Sequence, residues 1–210
     1  MGRPREHDRR IRSALLEAAE RLVAAGGPDA LSVRAVAAEA GTTTRAVYSL
    51  FGSKEGLVAA LAQRAFELIA AGLDELEETK DPAADLVETG VVVFRGFVRD
   101  HPSLYRIAFQ RIVPGLRSGP ELESARERTF PRLQDKVRRL DEAGLLAGKS
   151  VREAAVEFNA MCEGMANSEL RGEVLPILPK GKEERAWRDA LTTVVRGFAN
   201  GAAKTRARRN

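Results

Sequence analysis

Cysteine and histidine, the side chains best suited to nucleophilic catalysis and zinc binding at neutral pH, are rare in this chain. Its 210 residues include one cysteine, Cys162, and two histidines, His7 and His101. No histidine and acidic residue accompany Cys162 at a spacing typical of a catalytic nucleophile, and this set does not make a tetrahedral zinc site. The sequence therefore predicts no enzyme, no metal site and no cofactor. A single cysteine also excludes an internal disulfide, which fits a reducing, cytoplasmic setting.

Basic side chains gather at both ends of the chain, where they could bind a polyanion. The chain has 34 Lys and Arg against 30 Asp and Glu, a net charge of +4. The tail from Lys204 holds four of the basic residues and no acid, so the rest of the chain is neutral. Total charge therefore decides little, and position says more. Five arginines between Arg3 and Arg12 could form a nucleic-acid-binding arm or a solvated segment. The tail is predicted to be disordered.

The hydrophobic pattern of the chain is helical. Apolar residues recur three or four apart, as in Ile11, Leu15, Ala18 and Leu22, and no segment shows the alternation of a strand. No apolar run approaches the eighteen or so residues of a membrane span. With caps and glycines as limits, the pattern predicts helices at about 8–25, 33–40, 44–50, 53–76, 82–100, 105–109, 122–143, 150–170 and 187–198. The predicted fold class is all-α, with no membrane partner.

The segment Ser32 to Leu57, SVRAVAAEAGTTTRAVYSLFGSKEGL, meets the requirements of a helix-turn-helix. Two short helices that cross closely need a small residue at the crossing, and Ala37 lies there. The tight turn needs a residue with unusual dihedral angles, which Gly41 supplies four residues later. The second helix needs an apolar anchor into the core, and Val47 follows six residues on. Such a motif offers the start of its second helix to the major groove of DNA.

The same segment resembles the DNA-binding signature of the TetR family of bacterial transcriptional regulators. The block AVAAEAG, then AVYSLFGSKEGL, is similar to the family's small-x-x-AG element and its Y-x-x-F-x-x-K-x-x-L run. Thr42 departs from the usual apolar residue, and Arg45 departs from the usual small residue or proline. The resemblance is strong over residues 8–60 and diffuse afterwards. It implies a three-helix DNA-binding domain in a homodimer, with the basic N-terminal arm near the minor groove.

Resemblance and side-chain chemistry together assign roles within this segment. Its hydroxyl groups and Lys54 are suited to phosphate oxygens. Thr44 and Arg45 are predicted base readers, because arginine can make two hydrogen bonds to a guanine edge and a threonine methyl can meet a thymine. Arg34 could contact base or phosphate. Alternatively, the hydroxyls before the helices could act only as caps, and Tyr48 could pack against the first helix. The predicted DNA-binding residues are Ser32, Arg34, Thr43, Thr44, Arg45, Tyr48 and Lys54.

Beyond residue 80, the resemblance implies an effector-binding and dimerisation domain. HPSLYRIAF (101–109) and CEGMANSELRG (162–172) are similar to segments of a TetR subgroup named for a C-terminal Trp-His-Gly motif. Here Cys162-Glu163-Gly164 stands in place of that motif. Aromatic and methionine side chains at helical spacing are predicted to line a ligand pocket, although an ordinary core shows the same pattern. The predicted pocket residues are Phe94, Phe97, Tyr105, Phe109, Phe158, Met161, Cys162 and Met165.

Three glycines lie inside the last two predicted helices, namely Gly164, Gly197 and Gly201. Glycine in a helix costs about 1 kcal/mol relative to alanine, so close approach of another helix would explain them. The last two helices of each protomer are therefore predicted to form a four-helix dimer interface. Tolerance of glycine on an exposed helix surface is the alternative.

These inferences predict a DNA-binding domain at 1–56 with a linking helix to about 78, a ligand-binding and dimerisation domain at 79–203, and a basic tail at 204–210. The expected function is that of a repressor. As a homodimer it would bind an inverted repeat in double-stranded DNA and be released by a small-molecule effector of unknown identity. One alternative is a TetR-fold protein that binds DNA without an effector. A helical enzyme is a third, which no acid–base pair in the sequence supports.

Overall fold

The computed structural model describes residues 3–110, 112, 120–172, 179 and 181–206. Within these ranges the backbone forms helices and no strands, which confirms the all-α prediction. The α-helices are α1 (Arg3–Gly26), α2 (Val33–Glu39), α3 (Thr44–Phe51), α4 (Lys54–Glu75), α5 (Pro82–Glu88), α6 (Gly96–Asp100), α7 (Pro102–Tyr105), α8 (Pro120–Glu142), α9 (Val151–Arg171) and α10 (Glu183–Arg206). Two π-helical segments, Thr89–Arg95 and Arg106–Gln110, follow α5 and α7.

Side-chain caps fix where several helices begin, as the sequence predicts. The hydroxyls of Ser32 and Thr43 each accept a hydrogen bond from the amide three residues on, at 3.1 and 3.3 Å. Ser150 and Glu153 form a capping box before α9. Each cap satisfies an amide that the helix leaves unpaired and contributes about 1 kcal/mol.

The first helix begins earlier than its apolar pattern predicts. α1 starts at Arg3 rather than near residue 8, so the basic N-terminal segment is helical and is not an extended arm. Proline at position 4 is tolerated because the first helical turn needs no amide hydrogens there. Glu6 lies in the first turn, where a negative charge is favourable. Its carboxylate forms an ion pair with Arg10 at 3.2 Å.

The chain divides into two compact units, of which the first comprises Met1–Glu67 with His101–Glu127. Its core is formed by apolar side chains of α1 to α4, together with α7 and the π-helical segment after it. The fully buried members include Leu15, Leu31, Val36, Val47, Leu57, Leu61, Leu104 and Ile107. Burial of each such side chain contributes roughly 1.5–3 kcal/mol. The helix-turn-helix segment is therefore part of a well-packed unit.

His101 connects α7 to α1 within the first unit. It occupies the N-cap position of α7, but its side chain accepts no hydrogen bond from an amide of that helix. Its Nδ1 instead lies 2.8 Å from Glu20 Oε1 of α1. Because a carboxylate oxygen only accepts, Nδ1 donates its hydrogen to Glu20 and cannot also accept one from a helix amide.

The second unit comprises Leu68–Asp100 with Arg128–Asn210. Trp187 and Phe158 are among its fully buried side chains. A Cβ atom at Gly90 would lie 2.3 Å from Leu191 Cδ1 and 3.1 Å from Phe158 Cζ, so this part of the backbone passes too close to α9 and α10 for any side chain. α10 extends to Arg206, so residues 204–206 of the predicted tail are helical. Residues 207–210 lie outside the described residues.

Within the second unit, basic side chains of α8 bind acidic residues at the end of α4, in the loop that follows it and in α5. The ion pairs are Arg132 with Asp74 at 2.8 Å, Lys136 with Glu78 at 3.0 Å and Arg139 with Asp85 at 2.6 Å. Asp85 is buried and also accepts hydrogen bonds from the amide and hydroxyl of Thr79, at 2.8 and 2.7 Å. This loop is therefore held by charge-assisted bonds rather than by apolar packing alone.

One described helix, α4, is long and apolar enough to cross a membrane, with a mean hydropathy of 1.4 in its most apolar window. Half of that window is buried inside the protein. The charged residues Arg64 and Glu67 also interrupt the apolar sequence near the middle of this continuous helix. These are properties of a core helix, whose apolar residues face its own protein.

Candidate nucleic-acid interface

The turn between α2 and α3 is a tight, glycine-based helix ending. Gly41 has a φ of +64°, in the left-handed region that favours glycine. Thr42 N–H donates to Ala37 O at 2.9 Å and Gly41 N–H donates to Ala38 O at 3.1 Å, the two bonds of a Schellman motif. Thr43 then caps α3. The turn thus fixes the direction in which the second helix leaves the first.

The second helix of the motif, α3, buries one face and exposes the other. Val47 is fully buried and anchors the helix in the core. Thr44 and Arg45, in the first turn, are exposed. Tyr48 is 54% exposed, which disfavours the alternative that it packs against the first helix. Within the described ranges, Arg45 and Tyr48 make no hydrogen bond or ion pair with the protein, so both are available to a ligand.

Further exposed polar side chains lie at the starts of the helices on either side of α3. Ser32 and Arg34 are exposed at the start of α2, and Lys54 is exposed as the first residue of α4. Ser53 Oγ accepts a hydrogen bond from Gly56 N–H at 3.1 Å, which caps α4. Three helix starts therefore present hydroxyl and basic side chains together with their free amides, the groups that bind phosphate oxygens.

Contacts from α1 hold the motif in place. Arg21 of α1 pairs with Glu39 of α2 at 2.9 Å. The guanidinium carbon of Arg12 lies 5.5 Å from the centre of the Phe51 ring. Each such exposed contact contributes at most about 1 kcal/mol, but together they restrict how α2 and α3 can tilt. Arg12 therefore has a structural role within the basic N-terminal cluster.

A negative charge limits the positive field at the start of α4. The pKa of Glu55 lies below its ordinary value, first because its own backbone amide donates to it and next because the Ser53 hydroxyl does. Glu55 is therefore charged at neutral pH, where a carboxylate near a helix start is favourable. Because this charge adjoins Lys54, attraction of a phosphate there depends on direct contact with the Lys54 ammonium.

Two family models match the chain in these regions. Residues 15–61 match the model described as bacterial regulatory proteins, tetR family. Residues 87–194, more than half of the chain, match the model described as Tetracyclin repressor-like, C-terminal domain. The chain belongs to the TetR family. TetR-family regulators are DNA-binding transcriptional regulators, and their fold is not that of an enzyme family. Membership of the Trp-His-Gly subgroup stays a prediction.

Solved structures of other proteins share the fold of this TetR-family chain. A protein of unknown function from Rhodococcus sp. RHA1 is 23% identical with a TM-score of 0.76, and the match covers 90% of this chain and 95% of that one. The TetR-family regulator PfmR from Thermus thermophilus is 23% identical with a TM-score of 0.64, covering 87% and 97%. FadR from Bacillus subtilis, solved with stearoyl-CoA, is 16% identical with a TM-score of 0.71, covering 88% and 98%. Comparison with curated proteins found no match.

The predicted pocket residues of this TetR-family protein fall into both units. Tyr105 and Phe109 belong to the first, where their rings stack with centroids 5.0 Å apart. The other six belong to the second: Phe94, Phe97, Phe158 and Cys162 are buried, and Met161 and Met165 are partly exposed. Phe158 and Cys162 lie together against Gly90. The pocket itself stays a prediction.

Cys162 is the one nucleophile that the sequence singled out. It is 2% exposed, and burial raises the pKa of its thiol far above the ordinary value, with a smaller contribution from Glu163. The thiolate is the reactive form, so Cys162 is chemically inert in this environment. It behaves as a small apolar side chain.

Two of the glycines predicted at the dimer interface, Gly164 and Gly197, are exposed. Among the described residues, apart from the adjacent turns of the same helix, no atom lies within 4 Å of where a Cβ would be at either position. Val156, two turns before Gly164 on α9, is 52% exposed. Gly201 lies in α10, but its surroundings are outside the described residues.

The sequence did not predict a buried polar cluster in the second unit. Arg95 donates two hydrogen bonds to the Glu169 carboxylate, at 3.1 and 3.0 Å, and Trp187 Nε1 donates a third at 2.7 Å. The sequence did contain a sign that Arg95 is buried, because Arg95 lies on the same helical face as the core residues Val91 and Val98. Its partners lie more than 70 positions away, and no local pattern identifies them.

Proposed function

We propose that this TetR-family protein binds an inverted-repeat operator in double-stranded DNA as a homodimer, represses transcription, and is released by a small-molecule effector. The observation that most supports DNA binding is the exposed face of α3. Thr44, Arg45 and Tyr48 are exposed there, while Val47 fixes the opposite face in the core. A helix held in this way can enter a major groove without disturbing its own domain.

The proposed contacts divide into base reading and backbone binding. Arg45 and Thr44 read base edges, because they lie in the first turn of α3 and are exposed. Ser32, Thr43, Tyr48 and Lys54 bind phosphates, and Arg34 binds base or phosphate. Capping does not prevent the hydroxyls of Ser32 and Thr43 from doing so, since each cap uses a lone pair of the oxygen and leaves the hydroxyl hydrogen to donate to a phosphate.

An effector site is proposed in the C-terminal domain, lined by the six predicted pocket residues that belong to the second unit. FadR from Bacillus subtilis was solved with stearoyl-CoA, which supports ligand binding by a chain of this fold. Long-chain acyl-CoA is therefore the first probe. DNA binding without an effector remains the second candidate function until a ligand that releases the protein is found.

Homodimerisation is supported by the open surroundings of Gly164 and Gly197 and by the exposed apolar side chain of Val156 on α9. Two recognition helices are also needed, because one helix contacts too few base pairs to specify a site. A closed two-fold pair requires a two-fold symmetric operator, which is an inverted repeat. The protein is proposed to act in the cytoplasm, where the operator and the effector meet.

Sequencing the genomic DNA fragments that the purified protein retains tests this proposal. We expect a small set of fragments that share an inverted repeat, and the Arg45→Ala protein should not enrich the same set. Release of the retained fragment by acyl-CoA, or by another metabolite, supports effector control. Retention of fragments without a shared sequence would contradict the operator, and retention insensitive to every metabolite tested would favour the second candidate.

A further inference from the structure

Two of the predicted pocket residues, Tyr105 and Phe109, lie in the first unit and take no part in the effector site proposed above. Their rings belong to an aromatic cluster in that unit. The ring centroids of Tyr105 and Phe109 are 5.0 Å apart, and those of Phe109 and Phe66 are 5.2 Å apart. Tyr105 and Phe66 are buried, whereas Phe109 is partly exposed. Phe109 therefore leaves apolar surface that a ligand can contact.

Arg126 of α8 adds a positive charge to these rings. Its guanidinium carbon lies 5.3 Å from the centre of the Phe66 ring. Its side chain is 26% exposed, and its acceptors among the described residues are Glu123 Oε1 and Ala108 O, both at 3.5 Å. Good hydrogen bonds of this kind are roughly 2.7–3.2 Å long. Arg126 is therefore a partly buried cation that still lacks a strong acceptor. Together with the aromatic rings it forms the Arg126 cluster.

The chemistry of the Arg126 cluster suits a molecule with an anionic group and an apolar body. The guanidinium and Phe109 are neighbours, because the carbonyl that faces the guanidinium belongs to Ala108, the residue before Phe109. A guanidinium can make two parallel hydrogen bonds to a carboxylate, and an aromatic ring can cover apolar atoms beside it.

A carboxylate fits the Arg126 cluster better than a phosphate monoester does. A phosphate monoester carries about two negative charges at neutral pH, whereas the cluster contains one cation. The carboxylate of Glu123, 3.5 Å from the guanidinium, adds a further negative charge beside it. The single charge of Arg126 therefore balances a monoanion and leaves a dianion uncompensated.

We propose that the Arg126 cluster binds a carboxylic acid with an apolar body. Arg126 holds the carboxylate, and Phe109 contacts the body. The long bond from Arg126 to Glu123 is exchanged for short bonds to the ligand, which costs little because such a pair is weak. Binding of the acid is independent of the proposed function. Its use as an effector, in the unit that contains α3, rests on that function.

Calorimetric titration of the whole protein without DNA tests the carboxylate, with octanoate and uncharged 1-octanol as probes. Octanoate should bind roughly tenfold to a hundredfold more tightly, as for one charge-assisted contact. Arg126→Met keeps an unbranched apolar side chain, so it should abolish this difference and leave 1-octanol affinity unchanged. Arg128→Met is the control, because residues two apart lie on different faces of a helix, and it should change neither affinity.

The apolar contact is tested with Phe109→Leu. Because both probes have the same body, their affinities should fall by a similar factor, roughly threefold. Melting curves establish that each variant is folded. If Arg126→Met is too unstable to titrate, Arg126→Lys replaces it. An ammonium group keeps the charge but cannot make two parallel bonds, so octanoate affinity should still fall roughly threefold.

The outcomes separate this proposal from the proposed function. Equal affinity for octanoate and 1-octanol, or equal losses in Arg126→Met and Arg128→Met, would overturn the Arg126 cluster as a binding site. Tighter binding of octyl phosphate than of octanoate would overturn the carboxylate assignment. If octanoate binds as expected but the protein retains no specific DNA fragment, the site stands and the proposed function fails. If a fragment is retained and octanoate does not release it, the site stands without a role as an effector site.

Discussion

Base recognition in the proposed complex depends most on Arg45. The side chain is exposed in the first turn of α3 and has no partner among the described residues, so no internal ion pair must break before it binds. An arginine at this position can make two parallel hydrogen bonds to guanine, whereas the proline or small residue common in the family cannot. The departure from the family pattern therefore predicts a guanine in each half-site.

The first prediction is that Arg45→Ala lowers specific affinity by about 1–3 kcal/mol and leaves non-specific affinity nearly unchanged. Lys54→Ala is the matched control, because it also removes one exposed positive charge. It should weaken binding to all sequences and reduce the log–log salt slope by about 1. Fluorescence anisotropy with operator and scrambled duplexes measures both. A parallel loss on the two duplexes for Arg45→Ala would make Arg45 a phosphate contact.

The second prediction concerns Tyr48, whose exposure leaves its hydroxyl outside the packing of the domain. Tyr48→Phe removes only that hydroxyl, so operator affinity should fall by about 0.5–1.5 kcal/mol and the melting temperature should stay the same. Thermal melting and operator titration of one preparation measure the two quantities. Unchanged affinity with a lower melting temperature would show that the hydroxyl serves the fold.

Single residues differ in how far the sequence reveals them. Gly41, Ser32 and Thr43 were predictable, since turns and caps act through neighbours within a few positions. The hydrogen bonds of Glu169 were not, because Arg95 approaches it through folding of distant segments.

At the scale of elements, periodicity predicted the helices well but not their inner irregularities. The segment 82–100 was predicted as one helix, and its middle, Thr89–Arg95, is π-helical. Gly90 lies in that stretch, where α9 and α10 leave no room for a side chain. Such a constraint comes from packing between helices, so the spacing of apolar residues within one helix does not reveal it.

A third prediction belongs to the junction between α5 and α8. Burial tends to raise the pKa of Asp85, but hydrogen bonds from Thr79 and Arg139 outweigh it and hold the pKa below its ordinary value. A carboxylate with a lowered folded-state pKa stabilises the protein above its unfolded pKa of about 4, and that stability is lost as the pH falls below it. Asp85→Asn should cost about 1–3 kcal/mol at pH 7 and progressively less below pH 4.

Urea unfolding from pH 7 to pH 3, at one protein concentration, checks this dependence. Asp189→Asn is the control, because among the described residues the side chain of Asp189 forms only an exposed pair with Arg185 within α10. The free energy of unfolding of Asp189→Asn should depend on pH as that of the wild-type protein does. If the wild-type and Asp85→Asn profiles run parallel through the acid range, the carboxylate of Asp85 does not contribute the proposed stability.

At the scale of the whole molecule, the helix-turn-helix does not explain why glycines lie inside the last two helices. Glycine inside α9 and α10 costs helical stability, and none of the described residues around Gly164 or Gly197 requires it. In the proposed dimer the helices of a second copy would need that room, and two-fold symmetry would place two α3 helices on one duplex. The half-site centres are then expected about 34–36 Å apart, or a small multiple of this distance.

The fourth prediction tests this assembly with Gly197→Leu. Because a Cβ at Gly197 meets open space, the substitution fits the protomer and, by replacing glycine in a helix, should raise its stability slightly. In a close-packed dimer the same side chain would hold the partner helices apart. Ala199→Leu is the control, because it places the same side chain at an exposed position on another side of α10. Analytical ultracentrifugation should therefore show dimers for wild type and Ala199→Leu and monomers for Gly197→Leu, with operator affinity lost only in the last. A wild-type monomer at micromolar concentration that binds a single half-site tightly would contradict the dimer.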